Sequence, residues 1–141
     1  MAFKRVKGGD RGFSEPRTVS SLTGTIGELV DYDRGSEILA EATSSSTVES
    51  LAGVLVSAVV AADTSAQIQE IQDGDEYIAD CTNNSDVAHN YHRMVLTDSL
   101  TVNNGASDDT TDAAVFMQIA PVGAASQKKI LGRFVRVQDR A

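Results

Sequence analysis

The chain has 141 residues, a net charge of −8 and one cysteine, which is the size of one domain able to bury a core without disulfides or other staples. The lone Cys81 excludes an intrachain disulfide and gives no reason to expect an oxidising compartment. No run approaches the roughly 18 residues of a membrane helix, and the N-terminus lacks the apolar core of a signal peptide, so neither membrane nor export is expected, and the triplet Asn83-Asn84-Ser85 is read as chance.

The charge is segregated along the chain. Residues 1–18 carry five Lys/Arg against two acids, a net +3, and residues 121–141 carry five against one, a net +4. The 102 residues between them hold two bases against 17 acids, a net −15. Basic ends on an acidic body meet either an anionic partner or the acidic body of the same or a neighbouring subunit, and charge alone leaves both open.

Residues 1–18 read as an extended basic arm, separate from a body domain at 19–141. Gly8, Gly9 and Gly12 break periodicity, and Pro16 restricts its neighbour. Phe3 and Phe13 are half of the chain's four Phe. An arm with two aromatic rings and five cations is a docking device, with Phe3, Lys4, Arg5, Lys7, Arg11 and Phe13 as the expected partner contacts. The competing reading folds the arm back and tucks both rings into its own domain.

Along the body, Leu22–Asp33 reads as the first strand pair, with partial alternation over Thr25–Tyr32 up to the turn signal Asp33-Arg34-Gly35, and Ile38 and Leu39 form a short strand. Ala42–Thr47 is a Ser/Thr loop, and Ser46–Glu49 fits a capping box that opens one helical turn. The longest apolar run, Leu51–Ala62, carries no charge and is rich in valine, so Gly53–Val60 is expected as the central strand. Gln67–Gln72 and Glu76–Cys81 form a hairpin across Asp73-Gly74, with Tyr77 and Ala79 on one face and Ile78 and Asp80 on the other. Residues 82–91 are polar and irregular. Arg93–Thr97 is a strand, Ser99–Val102 ends at an Asn104-Gly105 tight turn, Ala106–Ala113 is an acidic loop, and Ala114–Ala120 and Lys129–Val137 close the domain. Short strands, turn signals every 8–12 residues and at most one or two helical turns specify an all-β fold, a sandwich or small β-barrel.

Chemistry-bearing clusters are few. Cys81, His89 and His92 would supply three zinc ligands only if the segment curled back; the simpler reading is loop histidines and a core thiol. Asp73-Gly74-Asp75-Glu76 and Asp108–Asp112 concentrate carboxylates without EF-hand spacing, as turn-capping and solvated loops do. No nucleophile elbow, Walker loop, dinucleotide fingerprint or HExxH helix occurs. No catalytic residue, metal or cofactor is therefore expected, and the protein is expected not to be an enzyme. Nucleic acid is an unlikely partner for an acidic body with no Trp.

The order of segments from Gly27 to Phe134 carries a likeness. Gly27-Glu28-Leu29-Val30 comes first, then a Ser/Thr loop and Gly53-Val54-Leu55-Val56. Gly74–Asp80, His92–Asp98, Leu100–Asn103 and the terminal Ile130–Phe134 follow. This order resembles the small capsid decoration (cement, head-stabilising) proteins of tailed phages over about three quarters of the chain. The resemblance implies a compact β fold, barrel or β-tulip, with a partner-seeking N-terminal arm. It also implies binding to the major capsid protein on the outer surface of an icosahedral virion, as a homo-oligomer with trimers favoured, after synthesis in the host cytoplasm. The alternatives are another phage structural subunit, such as a tail-tube or head-completion protein, or a small β-barrel binding module for nucleic acid or carbohydrate.

Overall fold

The computed structural model describes residues 2–8, 16–107 and 111–135. Twelve strands follow in order: β1 (Phe3–Lys7), β2 (Arg17–Thr18), β3 (Leu29–Asp33), β4 (Ile38–Glu41), β5 (Leu51–Leu55), β6 (Ser65–Ala66), β7 (Ile68–Glu70), β8 (Glu76–Cys81), β9 (Arg93–Asp98), β10 (Thr101–Ser107), β11 (Phe116–Pro121) and β12 (Lys129–Phe134). The helical content described is two single 3-10 turns, Val87–His89 and Ala125–Gln127. The fold is all-β, as the short strands and frequent turns require.

Strands β8, β10, β9, β11 and β12 run in that order, and β12 returns to pair with β8, closing a five-stranded barrel. One edge of β8 is shared by two neighbours. β10 pairs with it in parallel only at Asp80 and Cys81, and β1 lies antiparallel along Glu76–Ala79. Inside and outside follow the two-residue pleat: Tyr77, Ala79 and Cys81 of β8 and Ile130, Gly132 and Phe134 of β12 face inward, and their neighbours face out half-buried. A second sheet, β4-β3-β5-β7, packs Leu29 and Val54 into the barrel core. Its other face (Val30, Leu39, Leu55 and Ile68) is covered by Val19, Leu22, Val59 and Ala66, with the β2-β6 ribbon contributing Ala66. The sheet is buried on both sides, which explains why its central strand reads as an unbroken apolar run.

The N-terminal segment differs from expectation. Phe3–Lys7 is a strand of the barrel sheet, with the Phe3 amide also donating to Gly27 O at 3.0 Å. Phe3 is 1% exposed, and its ring lies 6.0 Å from that of Phe116 and 5.8 Å from that of Phe134. Burying this ring, together with the pairing to β8, outweighs the freedom of a loose arm. A boundary at residue 18 therefore does not separate arm from body among the described residues, since Arg17–Thr18 also pairs, with β6.

Four local expectations also shift. The central strand ends at Leu55, not Val60: the chain bends at Val56-Ser57, Val59 bridges Gly24, and Val60 is 57% exposed. The Asp73-Gly74 turn does not join a hairpin, because β7 pairs with β5 while β8 belongs to the barrel. Ile68 and Tyr77 are pulled into different cores, and the buried Asp75 closes the crossing by accepting the Gln72 amide at 3.3 Å. Asn104-Gly105 lies inside β10, since the buried Asn104 amide accepts from Asn83 N at 2.8 Å and donates to Asn83 O and Asn84 O. The real β9–β10 turn is Ser99-Leu100, where Asp98 accepts the Leu100 amide at 2.8 Å. Finally, the cap before β5 is formed by Thr47 and Ser50, each side chain accepting the other's amide at 3.2 and 2.9 Å, while Ser46 turns inward.

Candidate functional site

The six expected contact residues do not form one surface. Phe3 is in the core. Lys4 is exposed and sits opposite Ile78, Lys7 is exposed and pairs with Glu76 at 3.3 Å, and Arg5 is half-buried beside a groove shared with Val54, Gln69 and Tyr77. Arg11 and Phe13 lie outside the described residues. Sequence reasoning placed the cations on the surface and missed that the intervening aromatic is a barrel residue. The segment Phe3–Lys7 has no two-residue apolar alternation, since Phe3 and Val6 are three apart and Val6 is exposed, so it carried no local strand signal.

What the barrel brings together is an outer wall that chain order conceals. Register places Arg93 of β9, Met117 of β11 and Arg133 of β12 side by side, and Lys4 of β1 beside Ile78 of β8 and Leu131 of β12. Lys129 faces Asp80 and bonds it at 2.6 Å. Two separate rows result: Lys4 lies beside the half-buried Ile78 and Leu131 on the β1-β8-β12 side of the barrel, and Arg93 and Arg133 flank the half-buried Met117 on the β9-β11-β12 side. At the rim, the Tyr91 amide donates to Gln118 O at 2.7 Å. The buried Gln118 side chain donates to Asp86 O and Asn90 Oδ1, both at 2.8 Å, which pins the loop leading into β9. The pinned loop leaves Val87 67% and Tyr91 70% exposed.

The remaining polar clusters are structural in geometry. Glu28 is buried and accepts the Ser99 hydroxyl at 2.6 Å and the Thr25 amide at 3.0 Å, stitching two turns together. Cys81 is buried, and its thiol donates to Asn83 O at 3.3 Å. The rings of His89 and His92 are 6.5 Å apart, and among the described residues no group of three or more His, Cys, Asp or Glu is placed to hold a metal ion. Burial, reinforced by the Asp80 carboxylate, pushes the Cys81 thiol above its ordinary range. A disulfide reagent should therefore label the native protein negligibly over the time in which it labels the urea-unfolded chain completely; rapid native labelling would place Cys81 at the surface.

Asp31 offers a pH-dependent test. Burial raises its carboxyl above the ordinary value of 3.8, against the lowering effect of the Ser46 and Ser50 hydroxyls, which donate at 2.6 and 3.1 Å. A raised native value means the folded state binds the proton more readily, so this group favours folding as pH falls through the native value and contributes fully below the unfolded one. The melting temperature of wild type minus that of Asp31→Asn should rise on going from about pH 7 to about pH 4. A difference that stays flat or falls would show that the Asp31 carboxyl is not destabilised by burial. Asp33, held below its ordinary value by the Gly35 and Ser36 amides, has the opposite sign and is common to both proteins.

The fold and its surface define a small closed barrel backed by a twice-buried acidic sheet, with a basic and aliphatic outer wall. Comparison with protein-family models, with curated proteins and with solved structures gives no match to this chain.

Proposed function

We propose that this protein is a virion structural protein that decorates an icosahedral capsid, binding the assembled lattice of the major capsid protein and stabilising the shell. The observation that carries the reading is the order of segments between Gly27 and Phe134 that resembles the tailed-phage decoration proteins. In the fold these segments are the strands and turns of one compact all-β body, whose polar clusters cap and stitch loops. Stabilisation follows from linkage, because a protein that binds only the closed lattice raises the free energy of opening it. The attachment is on the body, with Lys4 and Lys7 as the exposed survivors of the expected contact set.

Co-sedimentation with shells assembled from the major capsid protein of a tailed phage that encodes this chain tests the reading. Saturation near one copy per lattice position, with a rise in shell melting temperature, is the expected result. Saturation at about a dozen copies would indicate a head-completion subunit, and retention on single-stranded DNA at moderate salt without shell binding would indicate a nucleic-acid module. Lys4→Ala with Lys7→Ala should weaken attachment most at low salt, where screening is least.

A further inference from the structure

We propose that Asp73-Gly74 is a site of spontaneous backbone modification, at which the aspartate cyclises to a succinimide and reopens in part as isoaspartate. The chemistry needs only water. In the acid form of the Asp73 carboxyl, the Gly74 amide nitrogen bonds to Cγ, and the carboxyl hydroxyl leaves with the amide proton as water. A second water opens the five-membered imide at either carbonyl. Opening at the side-chain carbonyl restores aspartate. Opening at the main-chain carbonyl leaves the backbone running through the side chain, one methylene longer. Nucleophile and target sit on adjacent residues, so the step is intramolecular and its rate depends on how freely the two groups can meet.

Here both groups are free to meet. Asp73 and Gly74 are exposed, and neither the Asp73 carboxyl nor the Gly74 amide has a hydrogen-bond partner among the described residues. The two are the central residues of a type II turn: Gly74 has a φ of +88°, Asp73 has a negative φ, and the Asp75 amide donates to Gln72 O at 3.2 Å. Nothing lies within 4 Å of where a Cβ on Gly74 would stand, so its peptide unit can swing onto the carboxyl without displacing a neighbour.

The fold reverses the order of reactivity that the sequence alone would give. In an unfolded chain at neutral pH, Asn104-Gly105 reacts ahead of Asp73-Gly74, because a side-chain amide can lose ammonia while an ionised carboxylate must first be protonated. In the barrel Asn104 is 0% exposed, its Nδ2 donates to Asn83 O and Asn84 O, and the Gly105 amide donates to Asn103 Oδ1 at 3.1 Å. The pairs with serine next in line are also engaged. The Asp98 carboxylate accepts the Leu100 amide at 2.8 Å, and the Ser85 amide after Asn84 donates to Ala125 O at 3.2 Å. Modification at Asp73 falls where the chain crosses from β7 in the second sheet to β8 in the barrel. An added methylene there parts Gln72 from the buried Asp75, whose two hydrogen bonds span the turn, and so loosens the joint between the two cores. None of this depends on attachment to a shell.

Peptide mapping of the full chain, aged at neutral pH in water enriched in heavy oxygen, tests the proposal. Each passage through the imide leaves one solvent oxygen in the product. Cleavage after glutamate releases Ile71–Glu76, which should gain heavy oxygen and separate into aspartyl and isoaspartyl peaks while the Asn104 amide stays intact. In urea the order should reverse, with Asn104 losing its amide before Asp73 takes up oxygen. Gly74→Ala should slow uptake by about tenfold, since a Cβ restricts the turn. Asp73→Glu, an exposed change that keeps the charge, should abolish it, because the longer side chain would have to close a six-membered ring. The isoaspartyl form, once separated, should melt below the fresh protein, and an unchanged melt overturns the loosening of the joint. Absence of heavy oxygen from Ile71–Glu76 of the folded chain, over the time in which the urea-unfolded chain is labelled there, overturns the proposal. So does loss of the Asn104 amide ahead of labelling at Asp73 in the folded chain, or uptake that persists in Asp73→Glu, which would place the reaction at Asp75.

Discussion

Gly132→Ala should lower the melting temperature of the protein by about 10 °C or more, a loss at or above about 3 kcal/mol. Gly132 is an inward position of β12, paired with Gln118 on β11 and Tyr77 on β8. A Cβ there would come to 2.3 Å from Met117 O and 2.4 Å from Phe116 Cε2. Neither neighbour can yield cheaply. The carbonyl belongs to the β11 backbone, and the Phe116 ring is fully buried, edge-on to Phe134 at 5.2 Å. Separating β11 from β12 to admit one methyl group would open the barrel at the strand that closes it. Gly74→Ala is the matched control: its φ of +88° makes alanine strained by about 1–2 kcal/mol, but nothing lies within 4 Å of the added atom. If the two variants melt together, β11 and β12 are not in the register described.

Phe3→Ala should cost about 3–5 kcal/mol, the range for truncating a fully buried aromatic. The ring fills the barrel between Phe116 and Phe134, and Phe134 in turn packs edge-on against Tyr77 at 5.1 Å. Removing it leaves a void beside the Phe116 and Phe134 rings and weakens the seat of β1 on β8. Lys4→Ala, one residue on and exposed, should change the melt by only a few tenths of a kcal/mol, within the ordinary range for surface substitutions. Equal melts for the two variants would place residues 3–7 outside the folded body and return Phe3 to the set of partner contacts.

The elements that could be read in advance are those whose side chains alternate over four to six residues. Glu76–Cys81 is a barrel strand with the predicted faces, and the expected strands Arg93–Thr97 and Lys129–Val137 correspond to the barrel strands Arg93–Asp98 and Lys129–Phe134. Asp33-Arg34-Gly35 was legible because the Asp33 carboxylate makes the turn itself, accepting the Gly35 amide at 2.9 Å. The misreadings share a cause, which is long-range competition with local chemistry. Asn104-Gly105 has hairpin character, but the Asn104 amide is spent on the loop at 83–84, and the strand runs through. Asp73-Gly74 does turn the chain, but into another sheet, and no local signal says which strand comes next to which. Beyond Leu55 the apolar run continues because Val59 covers the second core, not because the strand does. The candidate surface was the least legible feature, since Arg93, Met117 and Arg133 become neighbours only through strand order.

Amide hydrogen exchange followed by NMR tests most directly that the basic N-terminal segment is a strand of the barrel rather than a free arm. The amides of β1 that pair with β8 should be protected like those of β8 itself, with opening free energies close to that of global unfolding. Exchange of the Phe3–Lys7 amides at the rate of an unstructured peptide, with β8 still protected, would contradict the account and restore the arm.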